Sequence, residues 1–164
     1  MRLSATDAHR HSATPRTRYA FLTLPDYSMI ALANAIEPLR MANRVSGQSA
    51  YEWLVVSTDG EPVTASNGLM MTPTMRLADA PDADMVFVCG GVNVREAVSP
   101  ALVTVLRRLA ARRMPLGALC TGGYALAQAG LLDGYHATIH WENLSALREQ
   151  FPRVLLSDHL FTID

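Results

Sequence analysis

Residues 117–134 read GALCTGGYALAQAGLLDG, and the segment turns on Cys120. Leu116 to Leu119 is a short apolar run of the kind that forms a buried strand. Thr121 to Ala129 is rich in Ala and Leu and reads as a helix, with Gly130 at its C-terminal cap. Cys120 therefore sits between a strand and a helix, and small residues follow it at Gly122 and Gly123. A strand–Cys–helix junction with glycines after the Cys has the form of a nucleophile elbow, in which a tight turn lifts the side chain off the sheet. A thiol at a helix N-terminus is expected to be more acidic than a free one, because the positive end of the dipole favours thiolate. The plainer reading is a structural cysteine buried at a helix start.

Further apolar runs surround this segment. Tyr19 to Leu24, Tyr51 to Ser57 and Met85 to Cys89 read as strands, and Leu69 to Met75 follows the turn signal Asn67-Gly68 as another. Ser28 can cap a helix over MIALANAIEPLRMANRV; Gly47 ends it, and Pro38 should kink or divide it. Pro100 opens a second amphipathic helix, ALVTVLRRLAARR, and Glu142 to Phe151 reads as another. Val154 to Leu156 and Leu160 to Ile163 are short apolar pieces, the last read as the start of a strand. Apolar strands alternating with amphipathic helices predict an α/β fold, a flavodoxin-like parallel sheet with helices on both faces. Ligands collect at the carboxyl ends of such strands. The pairs Gly90-Gly91 and Gly122-Gly123 both follow strands and are expected at that edge, where Gly90 and Gly91 could offer backbone N–H groups to a ligand oxygen.

The totals narrow the function classes. The chain has 164 residues, 49% hydrophobic and 18% charged, which suits one packed domain. Net charge is −1, all 14 cationic residues are Arg, and bulk electrostatics gives no reason to expect nucleic acid on this segment. Arg107, Arg108, Arg112 and Arg113 form the densest basic group and read as a solvated helix face. Cys89 and Cys120 alone make no disulfide framework, which points to a reducing, cytoplasmic setting. No apolar run approaches the roughly 20 residues of a membrane span. Residues 1–18 read as a disordered leader, with a transit peptide as the alternative, and 19–164 as the folded domain. His9 and His11 bring no further ligands, so no metal and no cofactor is expected.

The pattern AxCTGGxxLAxAGLLDGxxATxHW, Ala118 to Trp141, resembles the PfpI-type, class I glutamine-amidotransferase-like superfamily. Within it the pattern is most similar to the sensor domains of GlxA-like AraC-type transcriptional regulators. Isocyanide hydratases are the nearer enzymatic relatives. YSMIALANAIEPLRMANRVSG and Val88-Cys89-Gly90-Gly91 agree with the family's first helix and its strand-plus-glycines. The resemblance covers roughly residues 19–164. It implies a domain that binds a small polar effector near Cys120, dimerises, and controls DNA binding by a C-terminal helix-turn-helix domain lying beyond this sequence. Relatives of this kind respond to amine- or amino-acid-type metabolites. The final stretch, DHLFTID, would then fall inside the sensor domain, so the 164 residues are expected to be a fragment of a longer regulator.

The departures from the family pattern bear on catalysis. Aligned on Glu37, Arg40, Ala42 and Asn43, the family's helix-borne carboxylate position falls on Ala31, which cannot accept a proton. Thr121 stands where the protease-like branch has His. His140 and Glu142 have the amidotransferases' His-x-Glu spacing but follow Cys120 by only 20 residues. His140 is either a pocket-wall histidine or a general base that no identified acid orients. Glu37 is either a ligand-facing acid or a surface residue near Arg40 and Arg44. The expected ligand-binding set is Cys120, Thr121, Gly122, Gly90, Gly91, His140 and Glu37. The competing reading is a thiol-dependent enzyme, a hydratase, amidase or glyoxalase-like activity with Cys120 and His140 as its machinery. Met29 and Met41 look exposed on the first helix and suggest a homodimer.

Overall fold

The computed structural model describes residues 16–79 and 83–164. Its elements in chain order begin with β1 (Thr17–Thr23), α1 (Met29–Ser46) and β2 (Tyr51–Ser57). Three two-residue strands follow, β3 (Val63–Thr64), β4 (Met70–Met71) and β5 (Met75–Arg76). Then come β6 (Met85–Cys89), α2 (Val94–Ala97), α3 (Pro100–Ala111), β7 (Leu116–Leu119) and α4 (Gly123–Gln128). The last are β8 (His136–Ala137), α5 (Leu144–Gln150) and β9 (Leu155–Leu156). The main sheet has the order β5-β2-β1-β6-β7, every pairing parallel.

The strands lie side by side because their side chains alternate between two apolar layers. Ala20, Leu22, Val86 and Val88 enter the larger core with Leu102 and Leu106 of α3 and Leu126 of α4. Phe21 and Cys89 enter a smaller core under α1 with Tyr27 and Leu32. A strand covered on both faces needs apolar residues at every position, and the unbroken runs in β1 and β6 meet that need. The register places Thr23 beside Cys89 and Cys89 beside Leu119, so β1, β6 and β7 end at one level. That shared edge carries Ser28, Gly90-Gly91 and Cys120.

Several expectations are corrected in detail. β1 takes in Thr17 and Arg18, assigned from sequence to the leader; residues 1–15, with His9 and His11, lie outside the described residues. Pro38 does not divide α1, which runs unbroken from Ser28, whose Oγ accepts from the Ala31 N–H, to left-handed Gly47. Asn34 and Pro38 are both exposed, so the Asn34 carbonyl that Pro38 cannot satisfy is open to water. Leu69 to Met75 is not one strand: β4 pairs with β3 across the Asn67-Gly68 turn, and Pro73, which has no N–H to give, separates it from β5. The segment after Cys120 starts as a 3-10 turn over Cys120–Gly122 before α4, and α5 starts the same way over Trp141–Asn143. Leu160 to Ile163 forms no strand. Leu160 is 95% exposed, and the segment is tied down instead by Thr138 Oγ1 donating to the His159 carbonyl and by His136 against Asp164.

Candidate functional site

Cys120 is the first residue beyond β7 and adopts φ 57°, a left-handed backbone uncommon for a side chain other than Gly, Asn or Asp. The chain must reverse from strand to helix within one residue there, and its surroundings fix that turn. A Cβ on Gly122 would strike the Val88 carbonyl, and one on Gly91 would strike the Asp26 carbonyl. These glycines let the ends of β1, β6 and β7 approach more closely than any other residue would allow. The junction is then tied: Thr121 Oγ1 donates to the Gly91 carbonyl (2.7 Å), the Gly90 N–H to Leu119 (3.3 Å), and the Ser28 N–H to Gly90 (3.0 Å). The His140 N–H donates to the Cys120 carbonyl (3.3 Å), fastening the loop after β8 to the turn.

A cavity of about 430 Å³ opens over this junction, within the range of small-molecule sites. Ser28, Gly91, Arg95, Cys120, His140 and Glu142 are among the residues that line it. A broader trough of about 1200 Å³ continues past Ala31 and Asn34 of α1 and along β7, and it shares Ser28, Cys120 and His140 with the first. Of the residues expected from sequence, Cys120, Thr121, Gly91 and His140 line the smaller cavity. Gly90 and Gly122 are buried backbone spacers beneath it, and the Gly90 N–H is engaged with Leu119 rather than offered to a ligand. Glu37 is not brought there: it faces solvent on α1, paired with Arg40 at 2.6 Å, and that guanidinium holds its carboxyl below the ordinary value. The basic group around Arg107 is exposed, with Arg107 Nε donating to the Ala129 carbonyl.

The acidic thiol expected at a helix start is also corrected. Burial pushes the Cys120 thiol above its ordinary value. The Thr121 backbone and the Ser28 hydroxyl, which can hydrogen-bond the thiolate, oppose that only in part, and the Glu142 carboxylate adds to the rise. The helix beyond it spans only six residues, Gly123–Gln128. Neighbouring Cys89 is sealed in the smaller core, and burial raises its thiol much further. His140 does have an acid nearby, since its Nδ1 lies 3.7 Å from Glu142 Oε2, too long for a hydrogen bond but within ion-pair reach. Ser28, Arg95 and Glu142 were missed as site residues. Ser28 was legible only as a cap, Glu142 only through its spacing from His140, and Arg95 only as a charge four residues after a glycine pair.

A domain model described as the DJ-1/PfpI family matches residues 21–155, which include the end of β1, the other four strands of the main sheet and the Cys120 turn. The chain belongs to the DJ-1/PfpI family. It is 51% identical over 144 residues to the HTH-type transcriptional regulator GbdR of Pseudomonas aeruginosa, covering 88% of this chain and 39% of GbdR. It is 35% identical over 148 residues to the HTH-type transcriptional regulator GlxA of Rhizobium meliloti, covering 90% of this chain and 46% of GlxA. The chain thus spans less than half the length of these curated relatives. Among solved structures, an AraC family transcriptional regulator from Pseudomonas putida superposes with a TM-score of 0.81 at 32% identity, covering 90% of this chain and 80% of that one. Within the DJ-1/PfpI family, then, the chain groups with transcriptional regulators of the AraC type. Among the described residues no cluster of His, Cys, Asp and Glu is arranged to hold a metal, and no helix is long and apolar enough to cross a membrane.

Proposed function

We propose that this DJ-1/PfpI domain is the effector-sensing part of a bacterial AraC-type regulator and that it acts by binding rather than by catalysis. The observation that carries this reading is the content of the cleft. A thiol and an imidazole remain, but α1 brings Ala31 to the trough where a proton-accepting carboxylate would be needed, and burial shifts the Cys120 thiol upward, away from an activated thiolate. A nucleophilic Cys needs an adjacent base or a depressed pKa. The effector is a small polar molecule, of the amine or amino-acid type, seated against Cys120, Thr121, Gly91 and His140. Similarity to HTH-type regulators over less than half their length supports DNA binding by a separate C-terminal domain and action in the cytoplasm. A homodimer through α1 is part of the proposal. Met29 does not serve it, being half-buried in the core beside Tyr27, but Ile30, Met41 and Val45 leave an exposed apolar stripe, Val45 80% exposed.

The test is a metabolite screen read as protection of Cys120 from iodoacetamide. The expected result is a molecule that slows alkylation saturably and is recovered unchanged. Conversion of that molecule at about 1 per second or faster, an ordinary enzymatic rate, would contradict the reading. The enzyme alternative draws on one observation, Glu142 standing 3.7 Å from His140 Nδ1 in the same cleft as Cys120.

A further inference from the structure

The solvent face of α3 is built on arginine. Leu102 and Leu106 are sealed in the larger core, while Thr104, Arg107, Arg108 and Ala111 are exposed on the far side of the helix. Arg112 caps the helix and Arg113 follows it with a left-handed backbone, φ 61°; both are exposed. Four of the chain's 14 arginines thus fall within residues 107–113, and no Asp or Glu occurs between Glu96 and Asp133. The described arginine–carboxylate pairs use Arg18, Arg40, Arg76 and Arg153, and the last of these occupies Asp133. None of the four α3 arginines has a carboxylate partner among the described residues. Arg107 is held instead by its Nε donating to the Ala129 carbonyl at 2.8 Å. A cation in the last turn complements the helix dipole, which accounts for one arginine there. Four together repel, Arg108 and Arg112 being one turn apart on the same face. A chain of net charge −1 therefore gathers unpaired positive charge on a single helix face.

What this face lacks identifies the anion it fits. Exposed large apolar side chains occur elsewhere, such as Ile30, Met70, Trp141 and Phe161, and none lies on α3. A protein partner needs an apolar or aromatic anchor at the centre of its interface. A phosphate backbone needs only cations and close approach, and the small side chains of Thr104 and Ala111 beside the arginines leave room for it. The guanidinium fork matches a pair of phosphate oxygens. We propose that Arg107, Arg108, Arg112 and Arg113 form a docking face for the phosphate backbone of duplex DNA, one that holds the duplex without reading its sequence. The inference rests on the regulator role proposed above, which brings the domain beside a duplex. It adds a contact made by the sensing domain itself, apart from the separate DNA-binding domain. Phosphate contacts position a protein and carry no sequence information directly, so the face strengthens binding equally at every site.

The experiment titrates the 164-residue chain against a fluorescent random-sequence duplex of about 20 base pairs, with a polyglutamate peptide as the second probe, between about 50 and 200 mM salt, the range over which phosphate contacts register. Each neutralised phosphate contributes about −0.9 to the slope of log affinity against log salt. Four contacts predict a loss of roughly 100-fold across that range, and Arg108→Gln/Arg112→Gln should reduce the loss to roughly tenfold. Arg108→Lys/Arg112→Lys keeps the charges and should keep the slope. Arg44→Gln on α1, across the sheet, removes one charge and should leave the slope unchanged. Thermal unfolding at the wild-type temperature would show that the variants are folded. Absence of duplex binding at about 50 mM salt, or a slope indifferent to Arg108→Gln/Arg112→Gln, overturns the docking face. Polyglutamate binding as tightly as the duplex overturns the assignment to a phosphate backbone. Cys120 protection by small molecules is read on the same protein. Protection without duplex binding leaves the sensing role standing and removes only the docking face; duplex binding without protection by any small molecule removes the sensing role and leaves the docking face standing.

Discussion

Cys89 and Cys120 lie close together at one edge of the sheet, since Cys89 is paired in register with Leu119, the residue before Cys120, yet they occupy different chemical worlds. Cys89 is the last residue of β6, and its side chain enters the smaller core with Phe21 and Tyr27. Cys120 lies one step past the end of β7, where a left-handed backbone lifts it into the cleft beside Ser28, His140 and Glu142. One residue of extra strand separates an inert packing thiol from an addressable one. Residue type alone does not mark a site in this fold; the position of the strand end does.

That contrast depends first on the glycines that hold the strand ends together. Gly122→Ala places a methyl against the Val88 carbonyl, which is backbone and cannot step aside. The expected loss is about 3 kcal/mol, at the upper end of overpacking costs, read by denaturant unfolding together with faster alkylation of Cys89 as the junction loosens. Unchanged stability would mean that the junction is looser than described. Next, native protein treated with iodoacetamide should react at Cys120 alone, with Cys89 labelled only after unfolding, as peptide mass mapping would show. Comparable native rates at both thiols would abolish the distinction.

The two thiols should also separate with pH. Both are raised in the folded state, so the unfolded chain gives up their protons first as pH rises. Stability from this source is intact below the ordinary thiol value of about 8.5 and declines above it. Most of the decline belongs to Cys89, whose burial is deeper. Chemical denaturation between pH 7 and 10 should show a fall that Cys89→Ala flattens; a slope indifferent to that substitution would reassign it. The Cys120 alkylation midpoint should lie above about 8.5, and Glu142→Gln should move it down modestly by removing a nearby negative charge. Ser28→Ala should move it up, and should cost about 1 kcal/mol of stability as a lost helix cap.

These residues also show what was legible before folding. The apolar runs of β1, β2, β6 and β7, and the capped helices α1 and α3, declare themselves because a doubly covered strand or an amphipathic helix imposes its pattern locally. Gly91, Gly122 and Cys120 were visible because a turn that tight restricts the residues that make it. β8 and β9 were not, since two residues carry no period and their pairing joins segments far apart in the chain. Leu160 to Ile163 was misread for a related reason: an apolar run becomes a strand only where an edge is offered to it. Ser28, Arg95 and Glu142 reach the cleft from three separate segments, and no local pattern announces their meeting.

The most direct test of the central claim, that Cys120 is a wall of a binding cleft and not a nucleophile, is the affinity of Cys120→Ser for whichever molecule shields Cys120 in the wild type. Replacing a wall thiol by a hydroxyl of similar shape should leave that affinity within about tenfold, a change of about 1.4 kcal/mol, with no product formed by either protein. Turnover by the wild type that disappears in Cys120→Ser would contradict the account.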